Sequence, residues 1–345
     1  MHSTASFSIL TIKINFKIIN EKMFNLLSLK TTFEDVYGSD YSPQEYTGTE
    51  YTERIDVSGN ESVYVHECVF RDITNNAYGG ALYCSDIVQR LLIEQSSFIS
   101  CITSENYGGG IYSRSEQCVL SRICAFNCCS TYNNGISRGQ FAYINSNIKN
   151  NVNDSSITHT LKRGTYPWYA LCLDYGNILC TSVNLTNNEC YRYPALLCYR
   201  TSSISYSSIV NNTANPGYGC IWLSSSSHCI DTCNILNNYQ GSYIEGTIYA
   251  NYANLFIKDS CILGNNRRVF YAYSSGKITI SNCTIDDDIF TNNRFYGTVT
   301  VNKTIEKTFN ISLSHIAYCD LIVKLIVHSE CSHTLMSCNC NYNFR

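Results

Sequence analysis

The strongest acidic cluster in the sequence is the run Asp286-Asp287-Asp288. Enzymes that cleave polysaccharides need carboxylates that converge on one point, or a calcium site beside a basic residue. Three consecutive residues of a strand or turn cannot all point the same way, and the aligned segment one repeat earlier, residues 263–265, has no acidic residue. The run therefore indicates a solvated turn rather than a catalytic or cation-binding site.

A nucleophile motif occurs in the middle of the chain. Residues 135–139 match the pattern Gly-x-Ser-x-Gly, with Ser137 at its centre. In hydrolases this serine is activated where a strand passes through a sharp turn into a helix. Here an Asn-Asn pair precedes the motif and a strand-like segment, residues 141–144, follows it. The context favours a turn between strands rather than a hydrolase site.

The C-terminal tail combines thiols and an imidazole, which suit tetrahedral zinc. These residues are Cys331, His333, Cys338 and Cys340. The Cys-x-Cys spacing is tighter than the usual zinc-binding pair, so a disulfide or free thiols are favoured. Other histidines are scattered, and we expect surface or turn positions for His66, His159 and His228. The sequence assigns no catalytic, cofactor-binding or metal-binding residue.

An internal repeat must position all of these side chains. An apolar marker residue follows a Ser- or Cys-containing strand start at intervals of 23 to 31 residues. The markers are Phe70, Phe98, Phe126, Ile157, Leu185, Ile209, Ile235, Ile262 and Ile285. A period in the twenties with short strands and no helical spacing is typical of a parallel β-helix. Leucine-rich repeats share the period, but their Leu/Asn consensus is absent.

A second apolar site recurs in the same phase. Its tripeptides are Ala81-Leu82-Tyr83, Gly110-Ile111-Tyr112, Phe141-Ala142-Tyr143, Ala170-Leu171-Cys172, Leu196-Leu197-Cys198, Cys220-Ile221-Trp222, Thr247-Ile248-Tyr249 and Val269-Phe270-Tyr271. Asn-Asn pairs mark the turns, because asparagine tolerates the left-handed backbone of tight corners. Each repeat therefore holds two or three short strands. We predict an all-β fold, a parallel β-helix of about nine coils stacked at roughly 4.8 Å.

Stacked coils align equivalent residues into columns. One predicted interior column consists of Cys68, Cys124, Cys233 and Cys283, and a second of Cys84, Cys172 and Cys198. Interior thiols are favoured, with disulfides between neighbouring coils as the alternative. The vicinal pair Cys128-Cys129 is expected to place one thiol inside and one outside.

Tyrosine dominates the second apolar site. Its members include Tyr83, Tyr112, Tyr143, Tyr249 and Tyr271. The simpler interpretation is an aromatic stack in the interior. The alternative is an exposed aromatic strip that binds sugar rings or a protein partner.

The repeat sets the domain boundaries. Residues 55–300 are expected to form the β-helix, and solenoid ends need caps. Residues 1–54 are interpreted as an N-terminal cap and acidic linker, with a strand at 12–18, helical spacing at 19–27 and a loop at 34–53. Residues 301–345 are interpreted as a C-terminal cap and Cys-rich tail.

Composition bounds the classes of function. The chain has 345 residues, of which 44% are hydrophobic and 15% charged, with a formal net charge of −3. This charge, without long basic runs, argues against nucleic-acid binding. No stretch approaches the roughly 18 apolar residues of a membrane span, and no clear secretory signal is apparent.

Cysteines and glycosylation sequons point to an oxidising, glycosylating route. The chain has 20 cysteines, and its sequons begin at Asn60, Asn153, Asn184, Asn211, Asn282, Asn302 and Asn310. We expect a location at the cell surface or outside the cell, with a cytoplasmic location as the alternative.

Two kinds of motif resemble a known family. Gly79-Gly80-Ala81-Leu82 and Gly109-Gly110-Ile111 resemble the GGA(I/L/V) motif of polymorphic outer-membrane-type (Pmp-like) proteins. Residues 185–188, 209–212 and 235–238 resemble their FxxN motif, with Leu or Ile in place of Phe. Similar Asn-, Tyr- and Cys-rich repeat proteins occur in parasitic protists such as trichomonads. The resemblance covers about residues 55–300 and implies a right-handed, pectin-lyase-like parallel β-helix that is surface-exposed and adhesive. Clear Gly-Gly pairs in only two coils, and no apparent transmembrane tail, depart from the family.

The expected function is that of a non-enzymatic repeat protein, surface-exposed or secreted, that mediates adhesion or binds a protein or glycan of a host or cell surface. The alternative is a polysaccharide lyase or glycoside hydrolase on the same fold. Charged side chains grouped on adjacent coils would favour that alternative, but the sequence shows no such group and lacks the NTD, DD and GHG blocks of polygalacturonase-like enzymes. A third interpretation is a purely structural role inside the cell. No cofactor is expected.

Overall fold

The computed structural model describes residues 31–59, 61–160, 164–214, 219–241, 245–291 and 294–304. The predicted strand at 12–18, the helical segment at 19–27 and the Cys/His tail lie outside these ranges. The chain divides into two compact units, Met1–Asp40 and Tyr41–Arg345. In the first unit, the helix Phe33–Tyr37 begins with a capping box. The Thr32 hydroxyl accepts from the Asp35 backbone N–H at 3.1 Å, and the Asp35 carboxylate accepts from the Thr32 N–H at 2.8 Å.

The second unit is an all-β parallel solenoid of about eight turns, close to the nine coils predicted. Every recorded strand pair is parallel and joins one coil to the next, as between Leu82–Cys84 and Ile111–Ser113. The prediction of a parallel β-helix is confirmed, while the right-handed sense of the coil stays a prediction.

Each coil contributes strands to three faces, which we name in chain order. The first face consists of Ile55–Val57, Leu82–Cys84, Ile111–Ser113, Ala142–Asn145, Leu171–Asp174, Leu196–Cys198, Phe270–Tyr273 and Phe295–Tyr296. The second face consists of Gln44–Thr47, Ser62–His66, Arg90–Glu94, Gln117–Ser121, Lys149–Asn153, Asn177–Thr181, Ser202–Ser205 and Thr298–Thr304. The third face consists of Glu50–Tyr51, Val69–Arg71, Ser97–Ile99, Cys124–Phe126, Ser156–Thr158, Asn184–Thr186, Ser208–Val210, Asn234–Leu236 and Cys261–Leu263.

Other strands bend between faces or form small separate sheets. Ile221–Asp231 and Ile248–Lys258 continue from the first face into the second, and Lys277–Ile285 continues from the second into the third. The small sheets consist of Thr74–Asn75, Ile102–Thr103 and Cys129–Ser130, of Ile136–Arg138 and Tyr166–Trp168, and of Glu189–Cys190, Thr213–Ala214 and Tyr239–Gln240.

The marker residues form one interior column on the third face, with one exception. The register partners are Phe70, Phe98, Ala125, Ile157, Leu185, Ile209, Ile235, Ile262 and Ile285. The prediction of Phe126 as a marker is wrong, because Phe126 is half-buried one position further on, in register with Ile99. The small Ala125 leaves space beside Phe98, whose ring centroid lies 5.5 Å from that of Phe141.

Single residues with left-handed backbone turn the chain at two corners of each coil. At the corner before the third face they are Glu67, Gln95, Arg122, Asp154, Ser182, Tyr206, Thr232, Asp259 and Asn282. At the corner after it they are Asp72, Ser100, Asn127, His159, Asn187, Asn211, Asn237 and Gly264. The expected corner role is thus confirmed for the first asparagine of the pairs that begin at 187, 211 and 237.

The second asparagine of these pairs is buried and links neighbouring coils. Asn188, Asn212, Asn238 and Asn265 occupy equivalent positions, three residues after their markers. Each donates its side-chain amide to a backbone oxygen of the preceding coil, as Asn212 does to Leu185 at 2.8 Å. This asparagine ladder gives a physical reason for the FxxN-like motif, in which the first position fills the core and the last joins the coils.

Serine supports the corner before the third face in alternate coils. The column two residues before the markers reads Cys68, Ser96, Ile123, Ser155, Val183, Ser207, Cys233, Ser260 and Cys283. Each serine hydroxyl accepts a backbone N–H of the preceding coil, at 3.0–3.1 Å, and donates to the carbonyl two residues before it. Because Ile123 stands where Cys124 was expected, the first predicted cysteine column holds for Cys68, Cys233 and Cys283 only.

The Gly-Gly pairs allow close approach of neighbouring coils. A Cβ atom on Gly80 would lie 1.8 Å from the carbonyl oxygen of Gly109, and one on Gly109 would lie 2.1 Å from that of Gln140. Any side chain at these positions would push the coils apart, which explains the GGA-like motif.

The paired strands of the solenoid extend beyond residues 55–300. They include Gln44–Thr47, which pairs with Ser62–His66, and the last of them is Thr298–Thr304. The expectation of a loop at residues 34–53 is wrong, because this segment contains most of the first helix and two strands of the solenoid.

A second short helix, Asp288–Thr291, follows the last strand of the third face. Within the described ranges, no helix has the length and apolar character needed to cross a membrane.

Candidate binding surface on the first face

An aromatic column runs along the first face, with one residue per coil. Its register partners are Tyr83, Tyr112, Tyr143, Cys172, Leu197, Trp222, Tyr249, Tyr271 and Tyr296, which we call the aromatic stripe. The predicted phase is confirmed except in one coil, where Leu197 rather than Cys198 joins the stripe. The second predicted cysteine column holds for Cys84 and Cys198, which share one register position of the interior core. It is wrong for Cys172, which lies one position earlier, in the stripe.

The stripe faces away from the interior. Leu82 and Cys84 flank Tyr83 in its strand and belong to the main core, and consecutive strand residues point to opposite faces. The buried members of the stripe form a separate cluster with Tyr169 and Tyr193. The interpretation as an interior stack is therefore wrong, because smaller aliphatic residues fill the interior and leave the tyrosines on the outer side.

Neighbouring rings of the stripe lie nearly parallel except Tyr249 and Tyr271, whose planes meet at 73°. The centroids of Tyr83 and Tyr112 are 5.5 Å apart at an interplanar angle of 4°, and those of Tyr112 and Tyr143 are 5.6 Å apart at 12°. Offset stacks of this kind contribute stability beyond the area they bury. At the C-terminal end the surface opens to solvent, since Tyr296 is 50% exposed.

Two further tyrosines fill the gap where the stripe has Cys172 and Leu197. The rings of Tyr169 and Tyr193 stack at 5.6 Å, and Tyr193 continues to Trp222 at 5.0 Å. Both residues have positive φ, of 57° and 50°, at a position where earlier coils use Gly79, Gly108 and Gly139. A left-handed backbone costs a bulky residue about 1 kcal/mol. Despite this cost, Tyr169 and Tyr193 occupy these positions, and their rings keep the outer aromatic row continuous.

A column of cationic and aromatic side chains borders the stripe. Tyr107, Arg138, Trp168 and Arg192 are register partners in consecutive coils. The Arg192 guanidinium lies 5.1 Å from the Trp168 ring centroid. Arg54 and Arg268 lie similarly over stripe rings, at 5.0 Å from Tyr83 and 5.3 Å from Tyr271.

Two carboxylates are embedded in the same surface. Tyr143 donates its hydroxyl to Asp174 at 3.0 Å, and Tyr193 donates to Glu245. Burial raises the pKa of Asp174, although the Tyr143 hydrogen bond opposes this shift. Burial also raises the pKa of Glu245, against the opposing effect of Tyr193. Carboxylates with raised pKa beside hydroxyls can bind sugar hydroxyls or exchange protons.

Sequence reasoning missed Asp174 and Glu245. Asp174 lies two residues after Cys172 in one strand, so period-two alternation already places it on the side of the stripe. Glu245 precedes Tyr249 by four residues, as Trp168 precedes Cys172. The phase of the repeat was therefore the signal that could have found both.

The acidic run at 286–288 serves the fold. The Asp286 carboxylate accepts the Gly264 backbone N–H at 3.0 and 3.2 Å, and Asp288 forms an ion pair with Arg294 at 2.5 Å. Asp287 is exposed. Asp286 also lies 3.9 Å from Arg294, so the carboxylates of Asp286 and Asp288 meet at one arginine that neutralises them within the fold.

Ser137 is in a strand and not in the predicted turn. The strand Ile136–Arg138 pairs with Tyr166–Trp168, and Ser137 is fully buried. Its hydroxyl accepts from the Gln140 side chain at 3.0 Å. A strand without a following helix, and a shielded hydroxyl, leave no nucleophile elbow here.

The histidines differ from expectation at two of three positions. His159 is exposed at a corner, as expected. His66 and His228 are buried and bond to hydroxyls, His66 to Thr47 at 3.2 Å and His228 to Ser202 at 2.8 Å. Burial lowers the pKa of His228 to about 4. Both histidines lie in strands of the second face. Their positions in the strand and the packing around them bury these side chains, although histidine is a polar residue.

The described cysteines other than Cys124 are free thiols, and Cys124 is disulfide-bonded. All these free thiols are buried except Cys229, which is half-buried. Both thiols of the vicinal pair are fully buried, so the expectation of one thiol outside is wrong, although only Cys128 belongs to the interior core. In the described part of the chain, no group of three or more His, Cys, Asp or Glu side chains is arranged to hold a metal ion.

Comparison with protein-family models finds no match for the chain, and comparisons with curated proteins and with solved structures also find none.

Proposed function

We propose that the protein is a non-enzymatic β-helical repeat protein, exposed at the cell surface or secreted, that mediates adhesion by binding a glycan along the aromatic stripe. The observation that carries this proposal is the outward direction of the stripe. Several members of the row are buried against one another, and its half-buried and exposed members, Tyr83, Trp222, Tyr271 and Tyr296, form the part that a sugar ring can contact. Aromatic rings and flanking polar groups suit sugar rings, which have apolar faces and hydroxyl edges.

The resemblance to polymorphic outer-membrane-type proteins supports the same proposal. Their Gly-Gly and FxxN motifs correspond here to coil contacts and to the asparagine ladder. These motifs account for the fold, and the stripe is the feature that remains for binding.

The two tryptophans report on this surface. The chain contains only two, and Trp168 and Trp222 both lie in the aromatic cluster of the first face. We expect a binding glycan, found in a panel of immobilised oligosaccharides, to shift their emission. Tyr273 lies beside the stripe, with its ring centroid 6.1 Å from that of Tyr271. Tyr273→Ala with Tyr296→Ala should weaken binding about tenfold, since these rings are 42% and 50% exposed.

A matched control is Tyr239→Ala, which removes an equally exposed ring from a small sheet away from the stripe. Equal loss of binding in Tyr239→Ala, or a panel without any binding glycan, would contradict the proposal.

The surface location has its own test. Asn211 is exposed at a corner, whereas Asn184 is 5% exposed and donates to Ser156 at 3.1 Å. Peptide mapping after endoglycosidase treatment of protein from its own cells should find a glycan at Asn211 and none at Asn184. A chain without glycans that resists protease on intact cells would contradict a surface location.

The alternative expected from the sequence is glycoside hydrolysis on the same surface, with Asp174 and Glu245 as the carboxyl pair. The paired carboxyl groups of glycosidases lie within about 10 Å of each other. Asp174 and Glu245 belong to coils three apart, about 14 Å along the solenoid, so the geometry favours binding over hydrolysis. The test is release of reducing ends from the bound glycan. Release that Asp174→Asn and Glu245→Gln each abolish, with binding retained, would replace the non-enzymatic proposal.

A further inference from the structure

We propose that Asn134 is a site of spontaneous deamidation, at which the side-chain amide is lost and an aspartate or isoaspartate residue forms. The proposal is independent of glycan binding. Among all the asparagines of the chain, Asn134 alone is followed by a glycine, Gly135. Because glycine has no Cβ atom, its backbone nitrogen is open to attack by, and on, the neighbouring side chain.

Deamidation at this position is a reaction of the chain with itself. The backbone nitrogen of Gly135 attacks the side-chain carbonyl carbon of Asn134, a C–N bond forms, and ammonia leaves with the proton of that nitrogen. The product is a succinimide ring. Water then opens the ring at one of its two carbonyl carbons, and this gives aspartate or, when the chain continues through the side chain, isoaspartate. One water is consumed and one ammonia is released, so the modification requires no cofactor.

The structure leaves both reacting groups free to meet. Asn134 is exposed in the irregular segment 131–135, and the next strand, Ile136–Arg138, begins after it. Within the residues that the structure describes, neither the Asn134 side chain nor the Gly135 N–H has a hydrogen-bond partner. The packing there is loose, since a Cβ atom on Gly135 would meet only the Tyr132 ring, at 3.7 Å. These groups can therefore reach the close approach that an intramolecular attack needs.

Two other asparagines serve as internal controls. Asn145 is also followed by a small residue, but the Ser146 N–H donates to the Asp174 carbonyl at 3.1 Å, so the fold restrains that nitrogen. Asn133 is exposed like Asn134, but the residue after it carries a side chain that crowds its nitrogen. Asn145 thus tests the protection given by the fold, and Asn133 tests whether exposure alone is sufficient.

The modification changes the border of the aromatic stripe. Asn134 lies two residues before the strand Ile136–Arg138, and Arg138 belongs to the column beside the stripe. Each conversion adds one negative charge to a chain whose formal net charge is −3. Isoaspartate also lengthens the backbone by one carbon atom directly before this strand. The protein thus changes its charge and its backbone with age at a defined position.

The test follows the folded full chain during incubation at neutral and at alkaline pH. After reduction, alkylation and tryptic digestion in slightly acidic buffer, mass spectrometry compares the peptides 123–138 and 139–149, which contain the three asparagines. We expect the first peptide to become about 1 Da heavier at Asn134. The conversion should be faster at alkaline pH, because the attacking nitrogen must lose its proton. Methylation by a protein isoaspartate methyltransferase identifies the isoaspartate form.

Rates at the three positions and in variants give the comparison. In the folded chain, Asn134 should react at least about tenfold faster than Asn133 and Asn145. Denaturation in guanidinium chloride should accelerate Asn145 but change the rate at Asn134 by less than about twofold. Gly135→Ala should slow the reaction about tenfold, because the added Cβ crowds the attacking nitrogen. The control Gly59→Ala, which also meets open space, should leave it unchanged.

Two results would overturn the proposal. The first is an Asn134 that stays intact in the folded chain while the denatured chain converts it, since the fold would then protect this position. The second is an equal rate at all three asparagines of the folded chain, since neither the glycine nor the free N–H would then matter.

Discussion

The side-chain oxygen of Asn238 accepts two hydrogen bonds from Asn212, one from its backbone N–H at 3.1 Å and one from its Nδ2 at 3.0 Å. Asn212 in turn accepts the backbone N–H of Asn188 at 3.1 Å and donates to the Leu185 carbonyl at 2.8 Å. All three asparagines are buried. The ladder thus satisfies the backbone N–H groups of Asn188 and Asn212 at the corner and adds a bond to the Leu185 carbonyl in the adjoining strand.

Replacing Asn212 by alanine should destabilise the solenoid by about 3 kcal/mol. The substitution leaves the Asn188 N–H and the Leu185 carbonyl buried without these partners, and each orphaned group costs about 1–3 kcal/mol. The measurement is denaturant unfolding followed by circular dichroism. Asn211→Gly is the control, because the neighbouring Asn211 is exposed with a φ of 55° that glycine adopts freely. Equal decreases in the free energy of unfolding for Asn212→Ala and Asn211→Gly would mean that the asparagine ladder does not stabilise the solenoid.

Gly80→Ala should be more harmful, with a loss of more than about 3 kcal/mol or failure to fold. The added Cβ meets the Gly109 backbone oxygen at 1.8 Å, and backbone cannot rotate away as a side chain can. Gly59→Ala is matched in chemistry and meets nothing within 4 Å. Thermal unfolding distinguishes them, and a Gly80→Ala protein as stable as Gly59→Ala would show that the coils do not approach as described.

The periodic sequence made the solenoid predictable, because stacked coils place equivalent residues on top of one another. The marker column and the tyrosine phase both follow from that rule. The sequence did not predict whether each column points into the solenoid or out of it. In a strand such as Leu82–Cys84, every residue is apolar, so a pattern of hydrophobic and polar residues cannot tell the inner from the outer side. A shift of one residue exchanges the two sides.

The acidic part of the candidate surface was hidden for a different reason. Asp174 and Glu245 are far apart in the chain, and they meet the same aromatic cluster through Tyr143 and Tyr193. Neither has a neighbouring acidic residue to mark it as part of a motif. Only the register of the coils shows that both lie on the first face.

The one-residue shift at Ala125 has its own test. Ala125→Phe should destabilise the protein by about 2–3 kcal/mol, because the Phe141 ring already packs beside Phe98 and an overfilled core strains its neighbours. Phe126→Ala should cost less, about 1 kcal/mol, since Phe126 is only half-buried on the outer side. The midpoints of urea unfolding compare the two. The reverse order would restore Phe126 as the interior residue.

Acid should destabilise the protein through His228. This imidazole lies inside the second face, in register with Ser202 and Leu255, and burial lowers its pKa to about 4, whereas an unfolded chain titrates near 6.5. Between these values the unfolded state binds more protons than the folded state. Stability is therefore full above pH 6.5 and falls as the pH drops towards 4, by about 3 kcal/mol.

The variant His228→Leu isolates this effect. Leucine already occupies the equivalent position in the next coil, so the side chain fits the column, and the loss of a titrating group should flatten the pH dependence between 6.5 and 4. His159→Gln removes an exposed corner histidine and should leave the dependence as in the unaltered protein. Unfolding free energies measured at half-unit pH steps give the comparison. If the loss of stability between pH 6.5 and 4 persists in His228→Leu, groups other than His228 cause it. Asp174 and Glu245 are not among those groups, because a raised carboxyl pKa makes the folded state more stable as the pH falls.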